Sequence, residues 1–357
     1  MDALMLPSNW QRVRLGDILT LKHGRDYKNF KLGNIPVYGS GGYMLSINNF
    51  LHNGESVCIG RKGTIDKPIY LNGKFWVVDT LFYSYSFKKS IPKFIFYAFS
   101  IIKWSNYNEA TGVPSLTKMT ISNIQIPLPP LNEQIAIANI LSGLDHYLYT
   151  LDALILKKES VKKALRIKML NQILASNGVE FKKIGEICLI KRGRVIAKKI
   201  LQENGKYPVY SSQTLNNGIL GFIDTYDFDG EFLTWTTDGA YAGSVFYRNG
   251  RFSITNVCGL LQVIQDNIIH KYLYYILQIT APLHVNPGMG NPKLMSAAMQ
   301  QIEIPLPPLN EQIAIANILS ALDHEIASLK NKKRQFENIK KALNHDLMSA
   351  KIRVLKK

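Results

Sequence analysis

Residues 126–142 have the sequence IPLPPLNEQIAIANILS, and residues 304–320 repeat it without a single change. The two copies are offset by 178 residues (304 − 126), about half of the 357-residue chain. At the same offset, GVPSL at 112–116 matches GNPKL at 290–294, whereas most of the surrounding sequence differs. The chain is therefore a tandem duplication in which one short segment has stayed identical.

A long helix is predicted to follow the two prolines in each copy of the repeat. Pro129-Pro130 prevents a strand from continuing, Asn132 can cap a helix, and Glu133 suits its positive end. The first helix then has a stripe at helical spacing, formed by Ile137, Ile140, Leu141, Leu144, Leu148, Leu151 and Ile155. The second has Leu322, Ile326, Leu329, Phe336, Leu343 and Leu347, with Lys333 and Lys340 interrupting the seam. Helices of about 45 residues with one apolar stripe need a partner, so we expect them to pair antiparallel as a coiled coil.

The segments before the two helices have a different composition. Residues 10–125 and 180–303 are rich in glycine, tyrosine and short β-type runs, and Asn72-Gly73 and Asn249-Gly250 predict turns. One helix is expected in each, at 91–103 and 267–280. The predicted fold class is α+β, with two mixed-sheet domains that are each followed by a long helix. The predicted domains are 1–125, 126–177, 178–303 and 304–357.

The charge of the chain indicates a polyanionic partner. Lys and Arg number 43 against 26 Asp and Glu, which gives a net charge of +17 and an isoelectric point near 9.6. Nucleic acid is the leading candidate, a membrane surface is second, and a basic enzyme is the remaining alternative. No segment approaches the ~18–20 apolar residues of a membrane-spanning helix. The three widely spaced cysteines support neither a disulfide framework nor a zinc site, so we expect a cytoplasmic protein.

The familiar catalytic motifs are missing from the sequence. It contains no GxxxxGK[ST], HExxH or GxSxG, and no Asp/Asn-Pro-Pro followed by an aromatic residue. His146 and His324 on the helices are better explained by a solvated helix face than by catalysis. These observations predict a binding protein without catalytic residues and without a bound metal.

Both globular segments contain loops that combine glycine with the side chains used in DNA recognition. Arg and Lys contact phosphates and guanine, Asn and Gln pair with adenine, and Ser and Thr serve either role. The candidate DNA-binding residues of the first segment are Arg25, Tyr27, Lys28, Ser40, Tyr43, Arg61, Lys62 and Asn106. Those of the second are Arg192, Arg194, Ser212, Gln213, Thr214, Thr236, Thr237, Asp238, Tyr241, Asn291 and Lys293.

The duplicated PLPPLNEQI at 127–135 and 305–313 resembles the specificity subunit of type I restriction-modification systems. The stretches IGRKG at 59–63, WVVDT at 76–80 and WTTDGAYAG at 235–243 carry the same resemblance, which covers essentially the whole chain. It implies two target recognition domains that each read one half of a split DNA sequence. It also implies paired helices that set the spacing of these domains and dock two modification subunits.

By the same resemblance, the partners are double-stranded DNA, two methyltransferase subunits that carry S-adenosylmethionine, and motor-nuclease restriction subunits. This chain itself is expected to need no cofactor. Two identical docking surfaces suit two copies of one partner, although recent recombination between the copies would also leave them identical. The predicted docking residues are Pro129, Leu131, Asn132, Glu133 and Gln134 in one copy, and Pro307, Leu309, Asn310, Glu311 and Gln312 in the other. The alternatives are a self-contained DNA modification enzyme and an RNA-binding or interaction scaffold.

Overall fold

The computed structural model describes residues 6–354 except residues 177, 213 and 289. The chain forms two compact units, of which one comprises Met1–Asp152 with Asn331–Lys357 and the other comprises Ala153–Lys330. We call them the amino-terminal and the carboxy-terminal unit. Each long helix contributes one half to each unit. The predicted four-part division along the sequence stays a prediction.

The amino-terminal unit contains three sheets, ordered β1-β10, β2-β9-β6-β7 and β4-β3-β8-β5. Its strands are β1 (Gln11–Arg14), β2 (Thr20–His23), β3 (Leu32–Gly39), β4 (Gly42–Ile47), β5 (His52–Asn53), β6 (Ser56–Gly60), β7 (Ile69–Leu71), β8 (Lys74–Val77), β9 (Leu81–Tyr85) and β10 (Gln125–Leu128). Its helices are α1 (Leu15–Ile18), α2 (Pro92–Ile101), α3 (Lys118–Asn123) and the first half of α4 (Leu131–Ala175). Strands β3 and β8 are parallel, so the sheets are mixed as predicted.

The carboxy-terminal unit repeats this plan with a two-stranded sheet, β11-β18, and a six-stranded sheet, β12-β17-β15-β16-β13-β14. Its strands are β11 (Glu180–Lys183), β12 (Cys188–Arg192), β13 (Tyr207–Tyr210), β14 (Ile219–Ile223), β15 (Phe228–Thr236), β16 (Val245–Ile254), β17 (Cys258–Val263) and β18 (Glu303–Leu306). Its helices are α5 (Ile184–Ile187), α6 (His270–Thr280), α7 (Ser296–Gln301) and the first half of α8 (Leu309–Met348). The main core of each unit packs its sheet, its helix α2 or α6, and buried residues of both long helices.

The two long helices pair antiparallel within each unit, as predicted. In the amino-terminal unit, Asp145 of α4 is paired with Lys340 of α8, and Asp152 with Lys333 at 2.6 Å. Residue numbers rise along α4 while those of their partners fall along α8, so the two helices run antiparallel. In the carboxy-terminal unit, Lys162 is paired with Asp323 in the same sense. The lysines predicted to interrupt the seam are thus ion-paired across it; such partly exposed pairs stabilise a fold only weakly, because solvent screens them.

Two local predictions about α4 were wrong. Ile140 is exposed, because the buried face of α4 is formed by Gln134, Ile137 and Leu141 instead. Asn132 does not cap α4, because the helix begins one residue earlier and the carbonyl of Pro130 accepts the amide of Gln134 at 3.0 Å.

The Asn249-Gly250 signal marks no turn, because it lies inside β16. Gly250 there pairs with Gly230 of β15. Both glycines have positive φ, +97° and +130° respectively. This backbone conformation favours glycine, so the sequence signal reports a local distortion of a continuous strand pair.

The three cysteines are free and buried. Burial raises the pKa of each thiol, Cys58, Cys188 and Cys258, from an ordinary value of 9.0 to about 12. At pH 8 these thiols are protonated in the folded chain. Thiolate is the reactive form of cysteine, so the folded protein should be chemically inert at all three positions.

We expect iodoacetamide at pH 8 to alkylate these cysteines at least about a thousandfold more slowly in the folded protein than in guanidinium, since the pKa rises by about three units. The unfolded thiols ionise as the pH rises through 9, while the folded thiols keep their protons. This contribution to stability is therefore complete below pH 9 and is lost progressively between pH 9 and 12. Mass spectrometry of peptides labelled in the two states measures the ratio. Comparable rates at any cysteine would contradict its burial.

Candidate nucleic-acid interface

In the amino-terminal unit, the loop after β6 is joined to the loop before α3. The amide of Gly63 donates to the carbonyl of Pro114 at 2.8 Å, and the amide of Leu116 donates to the carbonyl of Arg61 at 2.8 Å. Lys62 lies opposite Ser115 in a β-bridge between these bonds. The backbone of the two loops is thereby fixed, while the side chain of Lys62 remains exposed.

The carboxy-terminal unit makes the same three connections. The amide of Gly239 donates to the carbonyl of Pro292 at 3.0 Å, and the amide of Leu294 donates to the carbonyl of Thr237 at 2.8 Å. Asp238 lies opposite Lys293 in the bridge. We call 61–63 with 114–116, and 237–239 with 292–294, the paired loops of the two units. One backbone arrangement therefore presents Lys62 and Ser115 in one unit, and Asp238 and Lys293 in the other.

A cleft of about 840 Å³ lies next to the paired loops of the amino-terminal unit. It brings together four of the predicted residues, Tyr27, Lys28, Ser40 and Tyr43. Thr80, which also lines the cleft, connects it to the loops, because its hydroxyl accepts the amide of Ser40 at 3.3 Å and its carbonyl accepts the amide of Arg61 at 2.8 Å.

The cleft also contains two acidic residues that the sequence analysis missed. Asp26 accepts the amides of Tyr27 and Lys28 at 2.7 and 3.1 Å and so shapes the loop. Arg61 donates Nε to the carbonyl of Asp79 at 2.8 Å, which leaves the Asp79 carboxylate 71% exposed beside the guanidinium. The position of Asp79 in the WVVDT stretch was the available sequence signal.

The other four predicted residues of this unit lie outside the cleft lining, with Arg61 and Lys62 in the paired loops and Arg25 and Asn106 elsewhere. Arg25 is exposed two residues after β2, where its carbonyl accepts the indole N–H of Trp76 at 2.8 Å. Asn106 is exposed in the 3-10 turn Trp104–Tyr107. The DNA contacts of Arg25 and Asn106 stay predictions.

In the carboxy-terminal unit, both predicted arginines are held by the protein. Asp227 accepts Nε of Arg194 at 3.0 and 3.1 Å, and the carbonyl of Asn256 accepts Nη2 of Arg192 at 2.6 Å. Both side chains remain exposed enough to contact a ligand. Their orientation is thus set before any ligand arrives, which lowers the entropy lost on binding.

The remaining predicted residues of this unit divide by burial. Tyr241, Asn291 and Lys293 are exposed, and Ser212, Thr214 and Asp238 are half-buried, whereas Gln213 lies outside the described residues. Thr236 and Thr237 are buried, at 1% and 0% exposure, so neither side chain can reach DNA from this arrangement and we remove both from the candidate set. Trp235, Thr236 and Thr237 are all buried in succession at the end of β15, so the sequence pattern gave no sign of which side chains face solvent.

Arg248 is a buried cation that the sequence did not single out. It is 3% exposed, its guanidinium lies 3.6 Å from the ring centre of Tyr210, and its Nε donates to Thr234 at 3.2 Å. Burial lowers its pKa to about 10, so it stays charged at neutral pH. Tyr210 directly precedes the loop that contains Ser212, and Arg248 thereby fixes the start of that loop.

One glutamine in each identical repeat makes the same three contacts in the two units. Gln134 donates to the carbonyls of Lys89 and Pro129 at 2.9 and 2.8 Å and accepts the amide of Ile91 at 3.1 Å. Gln312 donates to Asn267 and Pro307 at 3.0 and 2.9 Å and accepts Ile269 at 3.0 Å. Each glutamine therefore fastens the start of a long helix to the loop before α2 or α6.

A second contact, made by a tyrosine, an aspartate and a lysine across the helix pair, also recurs in both units. The hydroxyl of Tyr97 donates to Asp145 at 2.7 Å, and Lys340 of the opposite helix pairs with the same carboxylate. The equivalent trio is Tyr275, Asp323 and Lys162, with 2.7 Å between the hydroxyl and the carboxylate. Burial and the neighbouring carboxylate raise the pKa of both tyrosines, so both remain hydroxyl donors across the physiological range.

The predicted docking residues separate into internal and exposed ones. Pro129, Glu133, Gln134, Pro307 and Gln312 are buried and make contacts inside the chain, so we remove them from the docking prediction. Leu131, Asn132, Leu309 and Asn310 are exposed, and Glu311 is half-exposed. Ile135 and Ile313, one turn further along, are exposed as well at 47% and 40%. Each helix therefore begins with the same exposed pair of apolar residues.

Within the described ranges, no helix has the combination of length and apolarity that crossing a bilayer requires. The same residues contain no group of three or more His, Cys, Asp or Glu side chains placed to hold a metal ion.

Comparison with known proteins identifies the class. The family model described as the type I restriction modification DNA specificity domain matches residues 7–158 and again residues 176–338. The chain belongs to this family of type I DNA specificity subunits, and its two specificity domains fit a bipartite DNA target.

Relatives agree with this assignment, and one solved structure shares the fold. A protein described as a type I specificity subunit of Mycoplasma pneumoniae is 40% identical over 223 residues, which is 60% of this chain and 81% of that protein. The specificity subunit of the type I restriction enzyme MpnII from the same organism is 48% identical over 141 residues, 39% of this chain and 42% of the relative. The S subunit structure from M. genitalium has the same fold, with a TM-score of 0.74 at 18% identity over 97% of this chain and 98% of that one.

Proposed function

We propose that each unit recognises one half of a split DNA sequence through its paired loops and the residues beside them. The observation that carries this proposal is the identical backbone connection of the paired loops, which presents different side chains in the two units. A constant frame with variable side chains suits two sites that must bind the same polymer and discriminate different bases.

The chemistry of the paired loops supports different base preferences. Lys62 is a donor and suits the O6 and N7 acceptors of guanine, whereas Asp238 is an acceptor and suits the amino group of cytosine. Arg25, Lys28, Arg192 and Lys293 suit phosphate contacts, which provide most of the salt-dependent affinity. Tyr27 and Tyr43 in the cleft offer rings that can pack against the sugar or base edges.

We also propose that the exposed start of each long helix docks one methyltransferase subunit. Leu131 with Ile135, and Leu309 with Ile313, form the two matching apolar surfaces. In this arrangement S-adenosylmethionine is bound by the methyltransferase subunits, and this chain selects the DNA without catalysing methyl transfer. Motor-nuclease subunits would join the same complex for cleavage.

The substitutions Lys62→Asp and Asp238→Lys test the assignment of half-sites. Each reverses a donor or an acceptor at one unit, so we expect each to change base preference in one half of the target and leave the other half unchanged. The expected loss for the original base is about 1–3 kcal/mol, or roughly fivefold to 150-fold in affinity.

Selection of bound duplexes from a random library, followed by sequencing, measures both halves in one experiment. The half recognised by the unaltered unit is the internal control. A change in both halves, or in neither, would contradict the proposed role of the paired loops.

A further inference from the structure

The carboxylate of Glu133, at the start of α4, lies in a filled and sealed site. It is 2% exposed and accepts three hydrogen bonds, one from the indole of Trp10 at 3.0 Å and two from Arg353 at 2.6 and 3.0 Å. Arg353 also donates to Asn9 at 3.3 Å. A planar guanidinium and an indole N–H together satisfy the buried acid.

Glu311 occupies the equivalent place in the carboxy-terminal unit, 178 residues later. Its amide donates to Pro308 at 2.9 Å, as the amide of Glu133 donates to Pro130 at 3.0 Å, so the two helix starts share one backbone geometry. The carboxylate of Glu311 has no hydrogen-bond or ion-pair partner among the residues that the structure describes. The acid has been kept while its partners have been replaced.

The replacements are small residues. Strand β11 pairs with β18 in the register in which β1 pairs with β10, and the residue before β1 is Trp10 whereas the residue before β11 is Val179. Arg353 is answered, at the offset of 178, by Ala175. The surroundings of Glu311 therefore lack both the indole and the guanidinium that bond Glu133.

An open cavity of about 460 Å³ lies there instead. Val179, Asn267, Pro307, Leu309 and Glu311 are among the residues that line it. Glu180 also lines it, but its carboxylate is ion-paired with Lys182 at 2.6 Å, so Glu311 carries the uncompensated negative charge of the cavity. In a chain with a net charge of +17, an acidic hollow attracts a cation rather than DNA.

We propose that this hollow receives an arginine side chain of the methyltransferase subunit that docks on α8. The inference rests on the proposed docking function, because the hollow is continuous with Leu309 at the start of that surface. Arginine fits better than lysine, since its fork can bond a carboxylate twice, as Arg353 does at Glu133. The two docking surfaces, identical in sequence, thereby differ: one is sealed by the chain itself and the other is completed by the partner.

The test is a titration of the full chain with the methyltransferase subunit of the same system, with stoichiometry and both affinities measured by sedimentation and calorimetry. Glu311→Gln keeps the shape and removes the charge, and we expect it to weaken one of the two docking events at least about tenfold and leave the other unchanged. Val179→Trp fills the hollow with the ring found in the other unit and should produce the same one-sided loss. Glu303→Gln, which removes an exposed charge from β18, is the matched control and should change neither.

Each other outcome overturns the inference in a recognisable way. Two unchanged affinities in Glu311→Gln and Val179→Trp would show that the hollow takes no arginine, while the proposed docking would stand. Loss of both docking events in Glu311→Gln would show that the two sites are not independent in the way proposed. Self-association of the chain that is abolished by Glu311→Gln would assign the hollow to a second copy. A wild-type chain that binds no methyltransferase subunit would remove the docking proposal as well.

Discussion

Replacing Gly24 by alanine is expected to destabilise the amino-terminal unit by at least about 4 kcal/mol, whereas the same replacement at Gly143 should stabilise it by about 0.5–1 kcal/mol. Each change adds one methyl group, at Gly24 to a crowded position and at Gly143 to an open one. At Gly24 a Cβ would lie 2.0 Å from the carbonyl oxygen of Val78 and 2.3 Å from that of Val77. Backbone atoms at such distances have to move, and they belong to a buried strand end.

The reason for this crowding is local to the HGR stretch at 23–25. The amide of Gly24 donates to Leu81 at 3.0 Å, and that of Arg25 donates to Val77 at 2.9 Å, so the chain is pressed against the neighbouring strand ends. The equivalent Gly193 is as crowded, with Thr255 O 2.2 Å from its would-be Cβ. Only glycine permits this approach, which explains why both units keep a glycine before the candidate arginine.

Gly143 is the matched control because it lies within α4 with nothing within 4 Å of an added Cβ. The second repeat already has Ala321 at this place. Hydrogen exchange followed by mass spectrometry should show lost protection in β6 and β9 of Gly24→Ala and unchanged protection in β17 of the other unit. Normal protection of β6 in Gly24→Ala would contradict the predicted clash.

The sequence predicted the duplication, the mixed sheets and the antiparallel long helices, because each rests on a local pattern or on the repeat itself. It also predicted residues of the cleft, Tyr27, Lys28, Ser40 and Tyr43, because glycine beside polar side chains marks exposed loops. It could not predict that Gln134 is buried, since a buried polar residue in the first turn of a helix looks the same in the sequence as a solvent-exposed one. Only the loop before α2, some 45 residues away, decides this.

Contacts distant in sequence account for most of the other differences. Arg353 is 220 residues from Glu133, and no periodicity connects them. Arg248 lies in a strand of alternating character, and its stacking on Tyr210 depends on the parallel pairing of β13 with β16. Thr237 was included for its hydroxyl, but it is buried just beyond the end of β15. In each case the residue type indicated polar chemistry, and the tertiary structure determined whether that chemistry faces outward.

Replacing Gln134 by leucine is expected to destabilise the amino-terminal unit by about 3–5 kcal/mol. Leucine has a similar volume but would leave the amide of Ile91 and the carbonyls of Lys89 and Pro129 without their side-chain partner. Each unsatisfied buried group costs about 1–3 kcal/mol, reduced where a group retains access to water. Asn139→Leu, an exposed amide on the same helix, should change the free energy of unfolding by no more than about 0.5 kcal/mol.

The equivalent replacement, Gln312→Leu, should cost the carboxy-terminal unit the same amount, because its three bonds match those of Gln134 to within about 0.1 Å. Denaturant titration with unit-resolved hydrogen exchange gives the two values separately. Equal losses would mean that internal contacts suffice to hold this part of the repeat identical, whatever binds outside. Tolerance of leucine at both positions would instead leave docking of two copies of one partner, or recent recombination, as the explanation for the identity. A loss in one unit alone would show that the shared sequence no longer makes shared contacts.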